Sequence, residues 1–148
     1  MSTQKNVPFE TTLLVRDHCL CLHMQRAARK LARTFDNALR PIGLTSWQFS
    51  LLMSLNRPHP ASMKDVTDVL AIDRTTLTAA LKPLERRGLV KVTPSPDDKR
   101  SRLLSLTAAG NTLLAKAVPI WQQSHADIEG LLPHGKPDNL RSDLLALS

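Results

Sequence analysis

Between residues 62 and 107 two short helical patterns, joined by a link with room only for a tight turn, lead directly into a pair of strand patterns with a basic tip. Few folds accept that order. In the first pattern Ser62 and Asp65 read as a capping box, and Met63, Val66, Val69 and Leu70 supply an apolar stripe. Ala71 and Ile72 form the link, after which Asp73 can cap a second helix with Leu77, Ala80, Leu81 and Leu84 on one face. A tight link sets two helices at a steep angle, and a hairpin behind them completes a winged helix-turn-helix. That motif holds one helix in a DNA major groove with a β-wing beside it.

At 100° per residue, Thr75, Thr78, Ala79, Lys82 and Arg86 project away from the core stripe of the second helix, with Arg74 and Thr76 in its first turn. Hydroxyl, methyl and basic groups suit a groove floor. Threonine can hydrogen-bond base edges or phosphates and touch a thymine methyl, while Lys82 and Arg86 can neutralise phosphates, and Arg74 and Thr76 are within reach of the duplex. The same face would also serve an ordinary solvated helix, so its neighbours decide the reading. Pro83 lies deep in this pattern, where it removes a backbone donor and is expected to strain or kink the helix.

Gly88 ends the helix, and residues 89–93 read as a strand followed by turn chemistry through Pro94, Ser95, Pro96, Asp97 and Asp98. The chain then returns, with Arg102, Leu104 and Leu106 alternating with Ser101, Leu103 and Ser105. Lys99 and Arg100 stand at the tip. A cationic hairpin tip suits the minor groove, where narrow A·T tracts concentrate negative potential.

These residues resemble the MarR family of bacterial transcription regulators. The resemblance is carried by Asp73-Arg74-Thr75-Thr76-Leu77-Thr78, by Leu84-Glu85-Arg86-Arg87-Gly88-Leu89-Val90, and by the run from Asp98-Lys99-Arg100 to Leu104-Ser105-Leu106-Thr107-Ala108-Ala109-Gly110. The last is similar to that family's Asp-x-Arg wing followed by Leu-x-Leu-Thr-x-x-Gly. The similarity extends over residues 19–132. It implies that Arg100 approaches the minor groove and that Asp98 helps fix the wing.

With 148 residues, 42% of them hydrophobic, the chain has enough material for one domain with a packed core. Its net charge of +7, from 20 lysines and arginines against 13 acids, favours a polyanionic partner. Three Phe, two Trp and no Tyr argue against the aromatic platforms that stack single strands, which leaves double-stranded DNA. No apolar run approaches the 18 to 20 residues, roughly, that a bilayer requires, and there is no secretory leader pattern, so the expected location is cytoplasmic and no membrane is expected as a partner.

Outside the motif the pattern is helical. Across residues 12–39, Leu20, Met24, Ala27, Leu31, Phe35 and Ala38 form a stripe, with Arg26, Arg29, Lys30 and Arg33 opposite. Pro41 and Gly43 break it, and Thr45 can cap a helix over residues 46–55. Thr107 can cap another through Leu113, Leu114, Ala117, Trp121 and Ile128, which Pro119 is expected to bend. A last short helix bears Leu140, Leu144, Leu145 and Leu147. These helices carry more apolar surface than a small wing domain needs, so a second copy is the expected cover. The expectation is a mainly α fold with a small β-wing, a single domain over residues 1–148. Residues 45–106 would form the winged helix-turn-helix lobe, and residues 12–44 with 107–148 a helical dimerisation lobe. In the MarR family the terminal helices form the dimer, and two wings related by a two-fold axis would read a pseudo-palindromic operator.

A signal could reside in His18-Cys19-Leu20-Cys21-Leu22-His23. On one continuous helix Cys19 and Cys21 would lie about 200° apart, which precludes a shared metal or a local disulfide without unwinding. Cys19 and His23 are neighbours at i and i+4. Cys21 borders the apolar stripe, where it reads either as a small buried hydrophobe or, by resemblance, as the reactive cysteine of the organic-hydroperoxide-sensing branch of the family. That branch surrounds its cysteine with tyrosines; here Phe35, Ser46 and Phe49 occupy the corresponding places. The rival signal is a small aromatic ligand, often a phenolic acid in this family, for which His23, Met24, Arg26 and Trp47 are candidate lining residues.

Nothing in the pattern requires a metal, a cofactor or catalysis, since no acid–base constellation or phosphate-cradling glycine loop accompanies the cysteines. The sequence therefore reads as a homodimeric, sequence-specific regulator, a repressor by resemblance. An architectural protein that coats DNA without sequence preference is the alternative.

Overall fold

The computed structural model describes residues 6–148. Its helices are α1 (Phe9–His18), α2 (Leu20–Leu39), α3 (Ser46–Ser54), α4 (Met63–Leu70), α5 (Arg74–Arg86), α6 (Ala108–Glu129) and α7 (Pro137–Ala146), with a 3₁₀ turn at Arg40–Ile42. Three short strands, β1 (Ala61–Ser62), β2 (Val90–Pro94) and β3 (Arg102–Leu106), form an antiparallel sheet in the order β1-β3-β2. The architecture is mainly α with a small wing.

Local chemistry starts most of these helices. Thr45 and Gln48 form a reciprocal capping box on α3, as Ser62 and Asp65 do on α4. Asp73 caps α5 and Thr107 caps α6 through their side-chain oxygens. Both internal prolines are accommodated, α5 continuing through Pro83 to Arg86 and α6 through Pro119 to Glu129.

The structure corrects two expectations and adds a strand. The single helix across residues 12–39 is two helices, because Cys19 adopts an extended backbone (φ −69°, ψ 109°) and caps α2, its Sγ accepting from Leu22 N at 3.5 Å. A one-residue break leaves the apolar spacing almost in phase, so periodicity does not register it. Secondly, residues 61–62 pair with β3, Ala61 opposite Leu104 and Ser62 opposite Leu103. A two-residue strand has no period to read; only its partner defines it. Thirdly, Val69 is 62% exposed, so α4 turns Met63, Val66 and Leu70 inward instead.

The core lies where α3, α4, α5, the sheet and α6 meet. Leu39, Leu51, Leu52, Val66, Leu77, Leu84 and Leu104 are fully buried, joined by Leu114 and Ala117 from α6. Each such side chain contributes about 1.5–3 kcal/mol by leaving water. By contrast, Leu20, Ala27 and Leu31 of the expected α2 stripe are exposed in the protomer, while Met24, Phe35 and Ala38 are half-buried. Among the described residues no helix is long and apolar enough to cross a membrane.

Candidate nucleic-acid interface

The link between α4 and α5 turns on Ala71, which holds a left-handed backbone (φ 53°) without being glycine. Its N–H and that of Ile72 both donate to Thr67 O, closing the end of α4 so that Asp73 can begin α5 at once. The Asp73 carboxylate accepts from Thr76 N at 2.6 Å. That backbone bond, then the Thr76 side chain, holds its carboxyl below the usual carboxylate range. Asp65 is likewise lowered, first by the Ser62 backbone N–H and then by the Ser62 hydroxyl.

Leu77, Leu81 and Leu84 fix the rotation of α5 by entering the core. What remains outward is Arg74, Thr75, Thr76, Thr78, Ala79, Lys82 and Arg86, all exposed. The hydroxyls differ in availability. Thr78 Oγ1 donates to Arg74 O at 2.9 Å and the Thr76 hydroxyl serves the Asp73 carboxylate, whereas the hydroxyl of Thr75 makes no hydrogen bond among the described residues. Arg74, Lys82 and Arg86 form no ion pair there either, which leaves three cations on the same helix as one free hydroxyl.

In the wing the Asp98 carboxylate accepts from Arg100 N at 3.0 Å and from Ser101 Oγ at 3.4 Å, while Ser101 N donates to Asp98 O at 2.9 Å. Asp98 thus engages the backbone of Arg100 and makes no ion pair with its guanidinium. Lys99 and Arg100 are exposed and unpaired among the described residues. Arg102, which sequence reasoning did not single out, donates from Nη1 to Lys99 O at 3.2 Å and braces the tip from the strand.

Arg87 was also missed. It follows Arg86 at the end of α5 but donates from Nη1 to Gly43 O at 2.8 Å, in the corner between α2 and α3. Two adjacent arginines look alike in sequence; only the 100° between them separates the outward one from the braced one.

The candidate signal residues are not brought to one place in the protomer. His23 and Arg26 open onto a shallow cleft on α2, Met24 lines a different one with Leu144, Leu145 and Leu147 of α7 and beyond, and Trp47 is 38% exposed on α3. Cys21, expected among apolar neighbours, is exposed, with Gln25 Nε2 donating to its Sγ at 3.4 Å. Cys19 is half-buried, and its carbonyl oxygen lies 2.7 Å from His23 Nδ1. Phe49 stacks on Trp121 at 6.2 Å between ring centroids, and Trp121 on His125 at 4.6 Å.

A capped helix presenting hydroxyls and unpaired cations, set against a core and flanked by a cationic hairpin, defines a winged helix-turn-helix DNA-binding protein. The sequence profile of the MarR family matches residues 42–101. The organic hydroperoxide resistance transcriptional regulator of Bacillus subtilis is 33% identical over 101 residues, 68% of this chain and 69% of that one. The transcriptional repressor NicR of Pseudomonas putida is 30% identical over 118 residues, 80% of this chain and 72% of its own. The M. tuberculosis regulator MosR, solved in complex with DNA, superimposes with a TM-score of 0.80 at 37% identity over 88% of this chain and 93% of its own. The chain belongs to the MarR family of transcription regulators.

Proposed function

We propose that this regulator acts as a homodimeric repressor that reads a pseudo-palindromic operator and is released by a small-molecule effector. The observation that carries it is the pairing of the free Thr75 hydroxyl with unpaired Arg74, Lys82 and Arg86 on one exposed face, beside a wing whose Lys99 and Arg100 are also free. Hydroxyls read base edges and cations hold the backbone, so the face can discriminate as well as adhere. Asp98 shapes the tip that offers Arg100 to the minor groove. The lobe of residues 45–106 binds the duplex. Residues 12–44 and 107–148 supply the dimer, because Leu14, Val15, Leu20, Leu131, Leu140, Leu144 and Leu145 leave a protomer with more exposed apolar surface than a monomer keeps. Effector binding acts by changing the spacing of the two recognition helices, which costs base contacts at one half-site. NicR, named as a repressor, supports the sign of regulation.

The test is affinity for the chain's own upstream intergenic DNA against random duplex, with the protomer count measured by sedimentation. A dimer that prefers its operator by about a thousandfold or more is expected. Equal affinity for both duplexes would favour a nonspecific architectural protein instead.

A second reading of the signal rests on the break before α2. Because Cys19 lies outside that helix and Cys21 is exposed, the 200° separation expected on one continuous helix does not apply to the pair, although each sulfur now has its own partner, Leu22 N for Cys19 and Gln25 Nε2 for Cys21. Under it, an organic hydroperoxide oxidises the Cys21 thiol to a sulfenic acid and leaves as its alcohol. The Cys19 thiol then condenses with the sulfenic acid to give a disulfide and water. Operator binding abolished by hydroperoxide in the wild type but not in Cys21→Ser is the expected sign; binding indifferent to hydroperoxide excludes this route.

A further inference from the structure

The sequence between Asp17 and Asp36 carries four cations and no acid. All four, Arg26, Arg29, Lys30 and Arg33, fall at i, i+3, i+4 and i+7, so one face of α2 presents them together. They are exposed, and none forms an ion pair among the described residues. Their one side-chain contact is Arg29 Nη2 donating to Gln25 Oε1 at 3.5 Å. With His23 they surround an open cleft of about 700 Å³ floored by the small side chain of Ala27.

Two like-charge pairs one turn apart, Arg26 with Lys30 and Arg29 with Arg33, oppose helix formation and gain nothing from the core. A face that breaks the local charge rule without compensation inside the fold is where an external partner is to be sought. The face is also separate from the duplex-reading elements, since α2 packs chiefly against α3, α6 and the 3₁₀ turn.

We infer that the α2 face formed by Arg26, Arg29, Lys30 and Arg33 is a binding site for a small polyanion, a molecule carrying several phosphate or carboxylate groups. The cleft is shallow and lined by α2 alone, so a ligand there is held by charge and oxyanion hydrogen bonds instead of by enclosure. Arginine forks donate bidentately to either oxyanion, and His23, its Nδ1 engaged with Cys19 O, borders the end of the cleft. The inference rests on the effector-released regulator described above and gives that effector a chemical class. In a chain of net charge +7, occupying this face removes a large part of the positive field that draws in a duplex.

The experiment uses the full chain and the Arg29→Gln/Arg33→Gln variant. Thermal midpoints are recorded with millimolar tripolyphosphate, citrate, or sodium chloride at matched ionic strength. Tripolyphosphate or citrate is expected to raise the wild-type midpoint by several degrees beyond the chloride arm, and the variant's by less than half as much. Which of the two acts more strongly assigns the site to phosphate or carboxylate ligands. No shift beyond chloride in the wild type overturns the inference, as do equal shifts in both proteins, which would place the anion on α5 or the wing. Should the variant not fold, Arg26→Gln/Lys30→Gln serves in its place. Both proteins are also sedimented: an unchanged protomer count is expected, and dissociation of the variant would assign the face to a subunit contact and overturn the site. Operator affinity without polyanion is read on the same preparations, so a failed regulator and a failed anion site give different results.

Discussion

Arg87, one residue beyond α5, donates from Nη1 to the carbonyl oxygen of Gly43 at 2.8 Å and so ties the end of the recognition helix to the corner between α2 and α3, 44 residues away. Gly43 holds a left-handed backbone (φ +75°), and a Cβ there would meet Arg87 Nη2 at 3.3 Å. Behind the same corner Thr107 N donates to Leu89 O at 3.1 Å, so the segment after α5 is held from both sides.

Arg87→Ala removes the tie while leaving the duplex face intact. The expected cost in unfolding free energy is about 1 kcal/mol, as for a charge-assisted bond partly open to solvent. Operator affinity falls by more than that destabilisation explains at temperatures where the variant is fully folded. Equal affinity under those conditions would make Arg87 a purely structural residue.

Gly110 packs against the segment Arg87 introduces. A Cβ at this position would stand 2.1 Å from Leu89 O, a backbone atom that cannot swing aside. Gly110→Ala is expected to destabilise the protein by about 1–3 kcal/mol, read from urea unfolding, and to displace the start of β2 from the first turn of α6.

Acid should loosen the helix-turn-helix through its caps. The carboxyls of Asp73 and Asp65 are held below their ordinary range, chiefly by backbone N–H donors, so each stabilises the fold fully above the unfolded value of about 3.9. That contribution is lost as pH falls through the lower folded values. Asp73→Asn keeps an acceptor on Thr76 N without titrating, and its thermal midpoint should fall less steeply than the wild type's below about pH 4. Parallel curves would remove Asp73 as a source of acid sensitivity.

Thr75 and Thr78 of α5 separate reading from scaffolding. Thr75 has a free hydroxyl, whereas that of Thr78 is engaged with Arg74 O. Thr75→Ala is expected to cost about 1–3 kcal/mol of discrimination between operator and random duplex, and Thr78→Val markedly less. The check is a pair of competition titrations, and equal losses for the two substitutions would refute the distinction.

Arg100→Ala should weaken binding to every duplex and reduce the slope of log affinity against log salt by about 1, the signature of one lost backbone contact. Arg102→Ala, which removes the brace on Lys99 O but no tip cation, should weaken binding with a smaller change in slope. Fluorescence anisotropy over a salt series resolves the two.

Elements whose causes are local were legible in the order of residues alone. Caps at Thr45, Ser62, Asp73 and Thr107, the apolar spacing of Leu77, Leu81 and Leu84, and the turn residues before Lys99 each act within a few positions, and so fix helix starts, the outward face of α5 and the hairpin. Long-range contacts had no such signature. The strand at residues 61–62 exists only because β3 offers an edge, Arg87 differs from Arg86 only because Gly43 lies within its reach, and Cys19 leaves the helical path without disturbing the apolar period on either side. Capping and periodicity depend on neighbours in sequence, whereas edge pairing and side-chain reach depend on where packing brings distant segments.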